Sequence, residues 1–137
     1  MDYLLDTNAC IALINGSPAS VRARLHEALS AGDQIFVSSI AVFELWYGVA
    51  KSSRQDFNRR RVEAFLAGPV VVLPFEVDDA YAAGSIRALL KTSGKPIGAY
   101  DVLIAGHALR NELTLVTTNL GEFSGVKGLV RQDWTKR

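Results

Sequence analysis

The sequence holds one cysteine, Cys10, so no disulfide can close within the chain. That sets aside the small cross-linked scaffolds of secreted proteins and fits a reducing compartment. Histidine is almost as scarce. His26 and His107 lie far apart, and no paired spacing with the cysteine suggests a zinc site. Long apolar runs are missing too. None approaches membrane-spanning length, and Asp2 and Asp6 interrupt the amino-terminal stretch where a secretory leader would sit. A cytoplasmic chain with no membrane contact is expected. Charge of one sign is also lacking: the formal net charge is +1. Composition therefore gives no general affinity for nucleic acid, and any such role needs a local basic patch. Linkers, repeats and low-complexity segments are absent, so residues 1–137 are expected to form one domain.

What is present is a well-mixed globular composition, 49% apolar against 21% charged, in a chain long enough for a real core. Short apolar runs alternate with helical patterns. Tyr3–Leu5, Ile35–Val37, Val70–Phe75 and Leu113–Thr118 read as strands, with a short last one at Leu129–Val130. Helices are expected over about 9–14, 18–31, 40–51, 55–66, 78–91 and 100–111. Their signals are Pro18 at a helix start, Ser38 or Ser39 as a cap and Gly32 as a stop. Such alternation predicts an α/β domain with a mostly parallel sheet, covered on both faces. Ligands of such sheets bind beyond the carboxyl ends of the strands, where strand order reverses.

Four polar residues fall where that rule places chemistry. Asp6 ends the first strand, and alone it reads equally as a helix cap. Glu44 shares a helical stripe with Ile40, Phe43 and Tyr47, where an acid needs a partner or a route to water. Asp101 lies in the first turn of a helix, a position that the helix dipole alone would favour. Asn119 follows a strand end, a common turn position. Taken together they suggest more than four local explanations. Three carboxylates brought close repel one another, and a divalent cation removes the conflict. All the candidate ligands are hard oxygens, which suits Mg²⁺ or Mn²⁺ and not zinc. Such an ion, with few protein ligands, supports phosphodiester hydrolysis.

At these residues a resemblance enters. "YLLDTNACIALI", "SSIAVFELWYG", "KPIGAYDVLIAGHAL", "LTLVTTNLGEF" and the closing "GVKGLVRQDW" are similar, in order and spacing, to the PIN-domain ribonucleases. Within these they most resemble the VapC-type toxins of bacterial toxin–antitoxin pairs. The resemblance implies a PIN-like three-layer α/β/α fold and an Mg²⁺-dependent endoribonuclease acting on a structured RNA such as tRNA. It also implies a small VapB-like antitoxin and a homodimer. The family's acids match Asp6, Glu44 and Asp101, with Asp6 and Asp101 expected to hold the metal. Asn119 takes a fourth position where Asp is frequent, and Thr118 stands where Asn is frequent; one negative charge fewer points to a one-metal site. Thr7 and Thr117 resemble hydroxyl residues that support the family's site.

Arg59, Arg60 and Arg61, with Lys51 and Arg54 nearby, make the densest positive stretch. It is either a solvated helix face or a phosphate contact that offsets the acidic pocket. Phe43, Trp46 and Tyr47 around Glu44 are expected in the core or in a partner groove. His107, six residues after Asp101, faces elsewhere and reads as an ordinary helix residue. Two other classes compete. A haloacid-dehalogenase-like phosphatase would want a second Asp where Asn8 stands. A non-catalytic PIN-like module would bind only a partner or RNA.

Overall fold

The computed structural model describes residues 1–136. Its elements run β1 (Tyr3–Leu5), α1 (Thr7–Asn15), α2 (Ala19–Ser30), β2 (Ile35–Ser38), α3 (Ser39–Lys51), α4 (Gln55–Leu66), β3 (Val71–Leu73), α5 (Val77–Thr92), α6 (Ala99–Arg110) and β4 (Thr114–Val116). A 3-10 turn at Leu120–Phe123 and β5 (Arg131–Gln132) follow. The strands form one sheet in the order β3-β2-β1-β4-β5, and every neighbouring pair is parallel. β1 lies at the centre, with Leu5 opposite Val37 on one side and Val116 on the other.

This order fixes where a site can form. From β1 the chain builds outward through β2 and β3, then crosses to the opposite side of β1 for β4 and β5. The reversal lies between β1 and β4, so their carboxyl ends border the crevice typical of open α/β sheets. β1 and β4 are buried along their whole length, as strands covered on both faces should be. Leu4, Leu5, Ile35, Val37, Leu115 and Val116 pack with Ile104, Ala105 and Ala108 of α6 into the core.

α5 and α6 cross closely because Gly106 carries no side chain: a Cβ there would stand 2.6 Å from the Ala83 backbone nitrogen. One turn of buried polar groups ties this pair to the sheet. His107 Nδ1 lies 3.0 Å from Ser38 Oγ, and its Nε2 lies 3.6 Å from Asp79 Oδ2. Ser38 also caps α3, accepting the Ile40 N–H, while Asp79 accepts from Glu76 N–H and Asn111 Nδ2. All three side chains are sealed from solvent. A serine, histidine and aspartate in line here therefore brace the fold and meet no substrate. His107 is more than the ordinary helix residue expected from sequence.

Several boundaries differ from the sequence reading: β3 and β4 are shorter than expected, α1 is longer, and two differences have a clear cause. The last strand is Arg131–Gln132, not Leu129–Val130: Leu129 is buried before the strand begins, and Arg131 and Gln132 pair with β4 through their backbones. Pro18 is the cap of α2 and not its first residue; Ala19 opens the helix. The β3 edge carries exposed Val71 and Val72, in keeping with Pro74 just beyond it.

Candidate active site

Asp6 leaves β1 in an extended conformation and caps α1, its Oδ1 accepting the Ala9 N–H at 2.8 Å. The Thr117 hydroxyl, just past β4, also bonds the Asp6 carboxylate, and it accepts the Asn119 N–H at 3.0 Å. The cap and functional readings of Asp6 are thus compatible: capping fixes the rotamer that aims the carboxylate into the crevice. One residue on, Thr7 Oγ1 donates to Glu44 Oε1 at 2.6 Å. That bond links the first residue of α1 to the middle of α3 and holds Glu44 to the same crevice. Asp101 enters from the first turn of α6.

Burial and neighbouring charge both act on these groups. Burial, then the Glu44 charge, pushes the Asp6 carboxyl up to about 6, against the Thr117 and Ala9 hydrogen bonds that pull it down. Burial and Glu122 push Asp101 up to about 7, with Asp6 and Glu44 adding to the rise. The three acids expected from sequence therefore lie within one another's fields.

Glu122 is the member that sequence reading missed. It sits in the 3-10 turn after β4, close enough to Asp101 to push that carboxyl up. Its Oε1 accepts the Gly98 N–H at 3.3 Å, and its Oε2 accepts from Asn119 Nδ2 at 3.4 Å. Asn119 thus reaches the acids through Glu122, with its own side chain open to solvent. Gly98 lies hard against the cluster, since a Cβ there would be 3.2 Å from Asp101 Oδ2. The one available signal was an acid three residues after Asn119, on a segment with no strong periodicity.

The arginines divide. Arg59 pairs with Asp56 and Glu63 on its own helix. Arg61 donates to the Ile14 carbonyl and the Asn15 side chain at the end of α1. Arg60 is exposed and makes no ion pair among the described residues. The aromatic cluster also divides. Trp46 packs against the core, whereas Phe43 and Tyr47 face solvent and not the interior.

As the side chains stand, no three His, Cys, Asp or Glu among the described residues are arranged to hold an ion together. The chemistry of the donors nevertheless fits a hard divalent cation. The acids are all oxygen donors, and the burial and neighbouring negative charge that raise Asp6 and Asp101 are both costs that a bound dication would offset.

The chain matches the PIN domain model over residues 3–129. It is 40% identical to the tRNA(fMet)-specific endonuclease VapC of Shigella flexneri, over 98% of this chain and 99% of that one. Among solved structures it superposes on VapBC2 from Rickettsia felis, bound to a DNA fragment from their promoter, with a TM-score of 0.90 and 36% identity. That match covers 98% of this chain and 99% of the other. The DNA-bound VapBC of Salmonella typhimurium gives 0.89 and 39%, covering 98% of both chains. The chain belongs to the PIN-domain family and, within it, to the VapC ribonucleases.

Proposed function

We propose that this chain is a toxin of a type II toxin–antitoxin pair that cuts a structured RNA, with tRNA the first substrate to try. Full-length similarity to a tRNA(fMet)-specific endonuclease supports that choice. The observation that carries the catalytic reading is the gathering of Asp6, Glu44 and Asp101 at the reversal of strand order, where burial and then neighbouring negative charge push Asp6 and Asp101 up. A module that only bound a partner would have no use for acids that destabilise one another, which disfavours the non-catalytic alternative.

Asp6 and Asp101 would hold the metal, with Mg²⁺ preferred and Mn²⁺ acceptable to oxygen ligands. The bound ion supplies positive charge for the phosphodiester and makes a nearby water more acidic. Glu44, aimed by Thr7, takes the proton of the attacking water. Thr117 keeps Asp6 oriented, and Asn119 fixes Glu122 and neighbouring water. In-line attack leaves a 5′-phosphate and a 3′-hydroxyl. Among the arginines, Arg60 is the one free to meet a phosphate; Arg59 and Arg61 would first have to leave their partners.

A VapB-like antitoxin would find an apolar cleft of about 150 Å³ between α1, α3 and α4, lined by Ile11, Ile14, Leu45 and Val62 with Glu44 in its wall. For a homodimer, the support is the exposed apolar edge of α5 at Val77, Tyr81 and Leu89.

The deciding experiment is cleavage of purified tRNA by the wild type and by Asp101→Asn, with Mg²⁺ and with chelator. The expected result is cleavage by the wild type with Mg²⁺ only, with end-mapping showing 5′-phosphates. Equal cleavage by Asp101→Asn would overturn the assignment.

A further inference from the structure

The acidic crevice has a problem of affinity. Its carboxylates repel the phosphates of any RNA that approaches, and the chain has almost no net charge to compensate. Beyond a bound ion and the free Arg60, affinity would gain most from contacts beside the acids that do not depend on charge alone. Two rings stand there. Phe43 is 52% exposed and Tyr100 47%, and their ring centroids lie 5.5 Å apart at an interplanar angle of 55°. Each immediately precedes an acid of the site, Glu44 on α3 and Asp101 on α6. The pair therefore bridges α3 and α6, each ring one residue along its helix from an acid of the site. Tyr47, one turn along α3 from Phe43, is 60% exposed, and the Lys51 ammonium sits 5.0 Å from its ring centroid. Phe43, Tyr47 and Lys51 make one stripe leading from the acids: ring, ring, cation.

Exposed apolar rings are costly in water unless something covers them. An aromatic stripe ending in a cation is the pattern used for unpaired nucleotides, whose bases stack on rings while a cation meets the backbone. Bases in a continuous helix are already stacked and cannot use it. Resting on the ribonuclease reading above, we propose that the Phe43–Tyr100 pair is a stacking platform for an unpaired base next to the scissile phosphate. The strand then continues over Tyr47 toward Lys51. The platform selects a loop or splayed nucleotide over a paired one and supplies the affinity that the acids withhold.

The test uses Phe43→Leu, Phe43→Trp and Tyr100→Leu in the full chain, with oligoribonucleotides whose cut site has been mapped on the wild type. Stacking accounts for roughly tenfold in affinity per base. Phe43→Leu should therefore raise KM about tenfold with kcat and Tm nearly unchanged, and Phe43→Trp should restore it. Removing the base at each flanking nucleotide in turn should identify one position where the wild type loses the same factor and Phe43→Leu loses nothing more. An unchanged KM, or a penalty from Phe43→Leu that persists whichever base is removed, overturns the proposal. Antitoxin affinity and sedimentation of the same variants complete the test. If only the antitoxin complex weakens, or only self-association is lost, the rings belong to a protein contact and the proposal fails. RNA binding is also read by fluorescence anisotropy. A wild type that binds RNA through the rings yet cuts nothing would remove the nuclease reading and, with it, the placement beside a scissile phosphate, leaving only the stacking of an unpaired base.

Discussion

Glu44 owes its aim to a hydroxyl on a different helix. Removing that hydroxyl while keeping its shape isolates the bond, because Thr7→Val leaves the methyl and the branched Cβ in place. A hydrogen bond to a charged acceptor contributes about 1.5–3 kcal/mol. Thr7→Val should therefore lower kcat about tenfold or more, with KM little changed, and Thr7→Ser should recover most of it. Steady-state kinetics on the mapped RNA decides this; equal kcat in all three would leave Glu44 oriented by other contacts. Glu122 makes a second prediction at this scale. It is the largest influence on Asp101 after burial. Glu122→Gln removes a neighbouring negative charge and offers an amide N–H in its place. Both changes favour the ionised carboxylate, so the Asp101 carboxyl should fall from about 7 toward the ordinary range. A carbon-13 titration of the metal-free protein would measure it, and a pKa that stayed put would mean burial alone sets the value. Asp6, Glu44 and Asp101 were legible in the sequence because each interrupts an apolar pattern or ends a strand. Glu122 was not. It interrupts nothing, and only the fold of the segment after β4 turns it toward Asp101.

At the scale of elements, the order of strands and helices was readable because apolar runs of two different periods are punctuated by caps. Ser38 before α3 and the Asp6–Thr7 corner before α1 are both present as expected. β5 was misplaced because its two residues carry no apolar signature and pair only through the backbone. The exposure of Phe43 and Tyr47 was equally hidden, since helical spacing shows which residues share a stripe but not what covers it. Gly106 is a similar case. In sequence it is a helix interior glycine, which costs about 1 kcal/mol against alanine and looks like a flaw. In the fold it is where α5 and α6 touch. Gly106→Ala would gain helix propensity and still destabilise, because its Cβ meets the Ala83 backbone and not a yielding side chain. A loss of roughly 1–3 kcal/mol is expected for such overpacking, read as a lower denaturant midpoint at unchanged m-value. The paired change Ala83→Gly should not rescue it, since the nearest atom is backbone nitrogen.

For the whole molecule, the price of gathering acids at the centre of the sheet should appear as an unusual dependence of stability on pH. Asp6 titrates near 6 and Asp101 near 7 in the fold, against an ordinary value of 3.8. Both folded values are raised, so the folded chain holds protons that the unfolded chain has already released. Stability from these groups is full below about pH 4 and is lost as pH rises through 6 and 7. For the buried Asp6 the rise corresponds to about 3 kcal/mol; half-exposed Asp101 adds less per unit because water screens it. His107 works the other way, since burial lowers its pKa from 6.5 and its contribution is lost as pH falls. One histidine opposes two carboxylates, and the carboxylates act alone above 6.5. The metal-free protein should therefore melt at lower temperature at pH 8 than at pH 6. Asp6→Asn keeps a competent helix cap while removing the charge. It should be more stable than the wild type at pH 8, by a few degrees in Tm, and should show a flatter profile. Added Mg²⁺ should stabilise the wild type increasingly as pH rises, because the ion competes with protons for the same oxygens. Melting curves of both proteins in chelator and in Mg²⁺ across this range carry the test. A wild-type Tm that climbs from pH 6 to pH 8 without metal would mean that burial and neighbouring charge do not raise these carboxyls in the folded chain.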